Sequence, residues 1–501
     1  MRAKKSLKNL IFNIFQQMIS VLTGFLLPPL IVANYGSAIN GLISTIRQIV
    51  MYVQTTGAGI ASASTYEMYK PLAKNDNKEL SSIFNATKKM FIKAGNISSI
   101  LMLLVAFIYP LFVSKDVDIF TTVCLVLMLG ACGVSEFYFI GKYQALFSAD
   151  QKNYLVSIAQ GLGNIFNIVI SIVLIKFKCN IILVEFGAMA VYITRVVFLW
   201  SYFIKHYKQI DKNIPAKKDG IPQRKDAIVH EITALVVNNS SILLISLFIN
   251  LKYASVFSIY MLIFSGLNLI CGIVSNGIYA SFGDVVAKKE EAILQKSYDV
   301  FEWGFFVMIF VLYTVTAILI MPFITLYTKN MTDINYVLPV LGFLLVLVGL
   351  INNIKIPART LVIASGHFKQ TKKYSVIEMI VNIVGQLVFI PILGIYGAMI
   401  GCLLSSIYRG INFIWYTNKH ILNIGHKRVI KRSIVLTLVF TIIMLFSNYY
   451  LKLNISNYLG WLVYAIIISI IVGLIYLIIG ILMDRKVFKE SVKVLKSIVA
   501  R

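Results

Sequence analysis

The sequence predicts an all-α polytopic membrane protein with about 14 transmembrane helices and both termini in the cytoplasm. Of its 501 residues, 58% are hydrophobic and only 14% are charged, and the mean hydropathy is +0.81. No soluble globular class shares these values. Runs of 18 or more apolar residues, which are long enough to cross the bilayer core, lie at 10–33, 39–62, 91–113, 119–141, 154–176, 181–204, 227–250, 254–282, 300–327, 336–364, 374–392, 396–418, 433–450 and 459–482.

The basic residues are distributed unevenly between the two sides of these spans. Segments on the side of the termini hold 35 of the 47 lysines and arginines, and the connections on the other side hold 6. The positive-inside rule therefore places both termini in the cytoplasm. Topology, together with contact between the loops and anionic lipid headgroups, accounts for the net charge of +26, so we expect no nucleic-acid partner.

The first two spans form a hairpin joined by a short turn at 34–38. Pro28 and Pro29 interrupt the first span, either as a hinge or as a static kink. The second span places Asn40 and Gln54 near one polar face together with Arg47. A guanidinium at this depth costs at least about 2.5 to 3.5 kcal/mol against lipid. We therefore expect Arg47 to face the bundle interior, a water-filled cavity or a bound anion.

Polar residues in the next four spans follow the same pattern. Gln160 and Asn164 share a stripe on the fifth span, and Arg195 lies about nine residues from the inner end of the sixth. Glu136 lies near the cytoplasmic end of the fourth span. The segment 205–226 is polar and basic, and it is the natural linker between two halves.

The second half of the chain repeats the first. Ile108-Tyr109-Pro110 matches Ile320-Met321-Pro322, and Phe186-Gly187-Ala188-Met189 matches Tyr396-Gly397-Ala398-Met399. This order predicts two six-helix lobes, 1–204 and 227–418, related as parallel repeats. Transporters built this way hold their substrate between the halves. Residues 419–501 add two helices, predicted to lack intramembrane charges, and a basic tail that forms an amphipathic helix on the inner leaflet.

The second lobe carries its own ionisable residues within the spans. Lys355 and Arg359 lie on the tenth span, Glu378 on the eleventh and Arg409 on the twelfth. Arg409, like Arg47 and Arg195, lies too deep to reach the headgroups easily, whereas Arg359 is about five residues from the inner end of its span and could snorkel.

On these features the chain resembles the multidrug/oligosaccharidyl-lipid/polysaccharide (MOP) exporter superfamily, and within it the bacterial polysaccharide repeat-unit flippases. The features are the two lobes with two final helices, the Asn34-Tyr35-Gly36 turn, the Gly57-Ala58-Gly59 helix end and the Gly-Ala openings of helices six and twelve. The resemblance implies two helical bundles in a V that move an undecaprenyl-diphosphate-linked oligosaccharide from the inner to the outer leaflet by alternating access. Related lipid II flippases use arginines of the first helices for the diphosphate, a pattern that Arg47 matches, although helix one has no internal arginine.

The resulting hypothesis is a flippase, not an enzyme, in the bacterial plasma membrane. Its predicted substrate-binding residues are Arg47, Arg195, Arg409, Lys355, Arg359, Asn40, Gln54, Gln160 and Asn164. Glu378 and Glu136 are the candidates for coupling to H⁺ or Na⁺, although an inside-negative potential alone would assist export of an anion. We expect no metal and no other cofactor. The expected partners are the lipid-linked substrate, membrane lipids and other glycan-assembly proteins. We expect the protein to be a monomer.

Three alternatives remain open at this stage. A lipid II or teichoic-acid precursor would need the same diphosphate chemistry as a capsule or O-antigen unit. A drug exporter of the same superfamily would rely on buried acids, which the intramembrane cations outnumber here. A membrane glycan polymerase would commonly present a large outer catalytic loop, but no predicted outer loop exceeds about ten residues.

Overall fold

The computed structural model is helical throughout the residues that it describes, which are 2–55, 57–211, 213–216, 225–451, 453 and 455–499. The first helices are α1 (Arg2–Tyr35), α2 (Ser37–Thr55), α3 (Ala58–Lys74), α4 (Asn77–Val113), α5 (Ile119–Ser135), a π-helical turn (Glu136–Ile140), α6 (Gly141–Ala149), α7 (Tyr154–Lys176), α8 (Ile181–His206) and α9 (Lys225–Phe248). The others are α10 (Leu251–Ala287), α11 (Glu291–Tyr327), α12 (Pro339–Ile354), α13 (Ile356–Ala364), α14 (Phe368–Leu393), α15 (Ile395–His420), α16 (Lys427–Tyr450), α17 (Tyr458–Met483) and α18 (Arg485–Val499).

Thirteen helical segments within the described residues are long and apolar enough to cross a membrane. The prediction of an all-α polytopic membrane protein is therefore confirmed. The one predicted span that is not among these thirteen, 39–62, consists of two helices, because α2 ends at Thr55 and α3 begins at Ala58. With 19 residues, α2 is about 28 Å long, but its polar residues lower its mean hydropathy.

The chain divides into two compact units, Met1–Leu262 and Ile263–Arg501. The predicted lobes, divided at 205–226, were defined by repeated sequence motifs and not by compact packing, so that division stays a prediction. Residues 212 and 217–224 of the predicted linker lie outside the described part of the chain. In unit 1, α9 packs against α2. The buried core around these helices includes Leu42, Ile46 and Phe137.

The start of α10 is held against α2 and against the turn that follows α4, within unit 1. Asn40 donates to the Ser255 hydroxyl at 2.8 Å, and the Leu251 N–H donates to the Asp116 carboxylate at 2.7 Å. Gly41 faces the Leu251 carbonyl so closely that an added Cβ would overlap it. Only glycine therefore allows this approach of α2 to the start of α10.

In unit 2, α14 and α15 form the closest hairpin. A Cβ on Gly385 would lie 2.9 Å from the Cα of Gly401, so the two helices pack backbone to backbone. Gly394 joins them with φ +58° and ψ −136°, a conformation that is essentially restricted to glycine. This close pair brings Glu378 of α14 and Arg409 of α15 together in the interior of the unit.

Candidate functional site

Arg47 lies on α2 with its side chain half exposed. One guanidinium nitrogen, Nη2, stands 3.8 Å from Oε1 of Glu185, whose side chain is 5% exposed on α8. Glu185 was not among the predicted site residues, although a carboxylate in an apolar span is a signal that could have identified it. Arg47 therefore has one face toward a buried acid and another open to its surroundings.

Arg195 makes the second ion pair of unit 1. Its Nη2 atom lies 3.8 Å from Oε1 of Glu136, the residue that opens the π-helical turn. Tyr192 donates to the other oxygen of Glu136 at 2.8 Å, and the Arg195 guanidinium lies 4.9 Å from the Tyr192 ring centroid. The two candidate arginines of unit 1 and their two carboxylates therefore balance in charge.

The predicted amide ligands of unit 1 are partly engaged by the protein. Asn40 is buried and bonds Ser255. Gln54 donates weakly to the Gly133 carbonyl at 3.4 Å, and Asn164 donates to the Ser20 hydroxyl at 2.8 Å. Gln160 is half-buried on α7. The structure does not bring these four amides together around one arginine, and their roles in binding stay predictions. Pro28 and Pro29 lie within the continuous helix α1, and the hinge also stays a prediction.

A tighter ionic centre lies inside unit 2, around Glu378. Lys355 donates to Oε1 of Glu378 at 2.7 Å, and Nε of Arg409 lies 3.1 Å from Oε2. Arg409 also donates to the Ser375 hydroxyl at 2.6 Å and lies 3.8 Å from the Phe413 ring centroid. The Arg409 side chain is 2% exposed and that of Glu378 is 9% exposed. In this conformation Arg409 therefore acts as a counter-ion and is not open to a ligand.

Lys355 lies at a break in a membrane helix. It separates α12 from α13, and Pro357 follows two residues later. Proline lacks an N–H and its ring clashes with the carbonyl four residues before it, so the helix cannot continue unchanged. Broken helices of this kind are tolerated at membrane depth where the freed backbone groups are buried in protein or line a wet cavity.

Arg359 is the exposed cation of this centre. It follows Lys355 by four residues and so lies on the same side of α13, within electrostatic range of Glu378 and Arg409. The four residues Lys355, Arg359, Arg409 and Glu378 comprise three cations and one anion. This centre therefore carries a local surplus of two positive charges, whereas the pairs Arg47–Glu185 and Arg195–Glu136 of unit 1 are neutral.

Polar contacts extend this centre from α12 and α13 to α10. Asn353, which is 1% exposed, donates through Nδ2 to Oδ1 of Asn268 at 3.2 Å and to the Tyr313 hydroxyl at 2.8 Å. Ser275 and Thr360 share a hydrogen bond of 2.9 Å. Asn268 and Ser275 were not among the predicted site residues, because a single polar residue in an apolar run does not indicate which helix it contacts.

A separate buried ion cluster lies near the start of α16, just before the predicted span 433–450, whose lack of intramembrane charges stays a prediction. Arg432, with a side chain 1% exposed, lies inside α16 and donates to three carboxylates at 2.6 to 2.8 Å. Those carboxylates belong to Asp299 and Glu302 of α11 and to Asp484, which precedes α18. The predicted helix began at 433, one residue too late to include this arginine.

Within the described residues, no group of three His, Cys, Asp or Glu side chains is placed to hold a metal ion. No family model and no curated protein matches this chain.

Solved structures match it over most of its length. A multidrug-resistance MATE family transporter of the MOP superfamily, in an inward-facing conformation, is 12% identical with a TM-score of 0.68 over 85% of this chain and 98% of its own. The lipid II flippase MurJ, in an inward closed conformation, is 15% identical with a TM-score of 0.61 over 96% of this chain and 100% of its own. A MOP superfamily transporter from Pyrococcus furiosus, described as having a binding pocket of reverse polarity, is 13% identical with a TM-score of 0.56 over 83% and 96%.

At these identities the matches establish architecture. They confirm the resemblance at that level, and the chain has the fold of the MOP superfamily transporters.

Proposed function

We propose that this protein flips an undecaprenyl-diphosphate-linked oligosaccharide, such as a capsule or O-antigen repeat unit, across the bacterial plasma membrane from the inner to the outer leaflet by alternating access. The observation that carries the proposal is the surplus of two positive charges around Glu378 in unit 2. A diphosphate that bridges a lipid and a sugar carries two negative charges. The charges therefore match, and arginine and lysine are the usual phosphate ligands in proteins.

Arg359 makes the first contact with the diphosphate in this proposal. It is exposed, whereas Arg409 is buried against Ser375 and Phe413. In the structure, Lys355 already donates a hydrogen bond of 2.7 Å to Oε1 of Glu378. An incoming phosphate oxygen would compete with the Glu378 carboxylate for Lys355, so the substrate would replace Glu378 as the partner of this lysine.

The same carboxylate is the candidate for ion coupling. If Glu378 takes up a proton when phosphate replaces it on Lys355, its buried charge is neutralised as it loses one of its two cationic partners, Arg409 being the other. Glu136 has a parallel position beside Arg195 in unit 1. We propose that the protein works as a monomer, without a metal or another cofactor, beside the enzymes that build the glycan.

The test is lipid flipping by the purified full chain in proteoliposomes, with a fluorescently labelled undecaprenyl-diphospho-sugar and a membrane-impermeant quencher. Arg359→Ala should lower the initial rate at least tenfold, and Arg359→Lys should retain part of it, because the charge remains but the bidentate fork is lost. Lys369→Ala, which removes an exposed charge on α14, is the matched control and should be neutral. A wild-type rate no faster than that of empty liposomes, or full activity of Arg359→Ala, would overturn the proposal.

A drug exporter of the same fold is the second candidate, because the MATE transporter has a TM-score of 0.68 with this chain. The charges favour the first candidate. Glu136 and Glu185 of unit 1 already face arginines, and in unit 2 Glu378 faces two cations and Glu302 faces Arg432. A cationic drug would therefore meet no uncompensated carboxylate among these residues. Expression of the chain in a drug-sensitive host separates the two, since only an exporter raises resistance.

A further inference from the structure

Helix α10 carries a continuous stripe of polar and small residues that its neighbours leave exposed or half-buried. The spacing of three or four residues places the stripe on one face for five turns, over about 27 Å. Its members are Ser265, Asn268, Gly272, Asn276, Tyr279 and Gly283, and every one is exposed or half-buried. In front of Gly272 and Gly283, no atom lies within 4 Å of the position that a Cβ would occupy. The stripe therefore borders open space.

The stripe does not face lipid. Ile270 and Ile273, which are 43% and 53% exposed, lie at the same depth on an adjacent face of α10. That apolar face is the one suited to hydrocarbon, in which an unpaired amide costs several kcal/mol. Asn268 is turned away from it, toward α12 and α13, as its contact with Asn353 shows, and Asn276 follows eight residues later on the same polar stripe.

The stripe begins beside the ionic centre of unit 2. Asn353 supplies the link, because it bonds Asn268 and lies two residues before Lys355. Ser275, one residue before Asn276, shares a hydrogen bond with Thr360, which follows Arg359, so the middle of the stripe also lies close to these cations.

We infer that this α10 stripe binds the sugars of the lipid-linked substrate. This inference rests on the proposed function and names the part of the protein that recognises the glycan. Each asparagine amide offers two N–H donors and an acceptor oxygen, which suits pairs of neighbouring sugar hydroxyls. The Tyr279 ring gives a flat face for stacking against a sugar ring, with a hydroxyl at its edge. The glycines let the sugar approach the helix backbone.

The experiment compares two ligands on the purified full chain by native mass spectrometry: undecaprenyl diphosphate, and undecaprenyl diphosphate bearing one N-acetylglucosamine. The wild type should bind the sugar-bearing lipid more tightly. Asn276→Ala and Tyr279→Ala should each weaken that binding about tenfold and leave binding of the sugar-free lipid within twofold. Ile273→Ala, on the apolar face of the same helix, is the control and should change neither.

The outcomes separate the two levels of the proposal. If the wild type binds both lipids equally, or if the stripe variants weaken both to the same extent, the stripe does not recognise the sugar. The proposed binding of the diphosphate is not contradicted by that result. If the wild type binds neither lipid, the proposed function fails as well. Asn268→Ala also removes the contact with Asn353, so Asn276→Ala and Tyr279→Ala, whose side chains are exposed, decide the result.

Discussion

At the scale of single residues, the distance between an arginine and its carboxylate distinguishes two kinds of charge. Lys355 and Glu378 are 2.7 Å apart, within direct hydrogen-bond reach, whereas Arg47 and Glu185 are 3.8 Å apart. A separation of 3.8 Å leaves the Arg47 donors free to turn toward another acceptor, and the side chain is 49% exposed. Arg47 is therefore either the counter-ion that Glu185 requires or a ligand for the substrate phosphate.

A double variant separates these two roles of Arg47. Arg47→Ala should lower flipping at least tenfold under either role, because it leaves Glu185 as an uncompensated buried charge. Adding Glu185→Gln removes that charge. If Arg47 binds phosphate, Arg47→Ala/Glu185→Gln stays inactive while Glu185→Gln alone flips normally. Recovery of the rate in the double variant would reduce Arg47 to a structural partner of Glu185. The measurement is the same proteoliposome assay, with insertion checked by size-exclusion chromatography.

The site residues that were predictable from the sequence differ from the others in the free-energy cost of burying their side chains in the membrane. Arg47, Arg195 and Arg409 were predictable because a guanidinium in an apolar run is costly wherever it points. Asn268 and Asn276 were not singled out, since one amide costs much less and its meaning depends on which face is covered. The pairing of Lys355 with Glu378 also depends on the packing of α12, α13 and α14, which single-span periodicity does not contain.

At the scale of helices, one arginine joins three separate elements. Arg432 of α16 bonds Asp299 and Glu302 of α11 and Asp484 at the start of α18. Arg432→Ala should lower the free energy of unfolding by about 3 to 5 kcal/mol, since it leaves buried carboxylates unpaired. Arg428→Ala removes one bond from a side chain that is 39% exposed and should cost about 1 kcal/mol or less. Thermal unfolding of both variants in detergent gives the comparison, and equal losses would show that the cluster does not depend on Arg432.

Helix boundaries were predictable where the chain is uniformly apolar. Helices α7 and α17 begin and end within a few residues of the predicted spans at 154–176 and 459–482. The break between α2 and α3 was not predicted, because Gly57 lies in a run of small residues that also suits a continuous packed helix. The extension of α4 back to Asn77 was also missed, since hydropathy detects the part of a helix inside the membrane and not its polar extension.

At the scale of the whole molecule, the charge of the substrate makes transport sensitive to the membrane potential. Each charge moved across 100 mV corresponds to about 2.3 kcal/mol, so a diphosphate with two negative charges gains about 1.4 kcal/mol from 30 mV. If no ion accompanies it, a 30 mV inside-negative potential should raise the equilibrium ratio of outer-leaflet to inner-leaflet substrate roughly tenfold. If one proton bound to Glu378 crosses with the substrate, only one negative charge moves, and the same potential should raise the ratio only about threefold.

Proteoliposomes with a potassium gradient and valinomycin measure this response, with the substrate distribution read by the impermeant quencher. Glu378→Gln is the informative variant, because it keeps the shape of the Lys355 partner and removes the carboxylate. A shift of about threefold in the wild type and of about tenfold in Glu378→Gln would identify Glu378 as the group that takes up the coupled proton. A tenfold shift in both proteins would exclude coupling through Glu378 and leave the potential as the driving force, and a distribution in the wild type that favours the inner leaflet would contradict outward export.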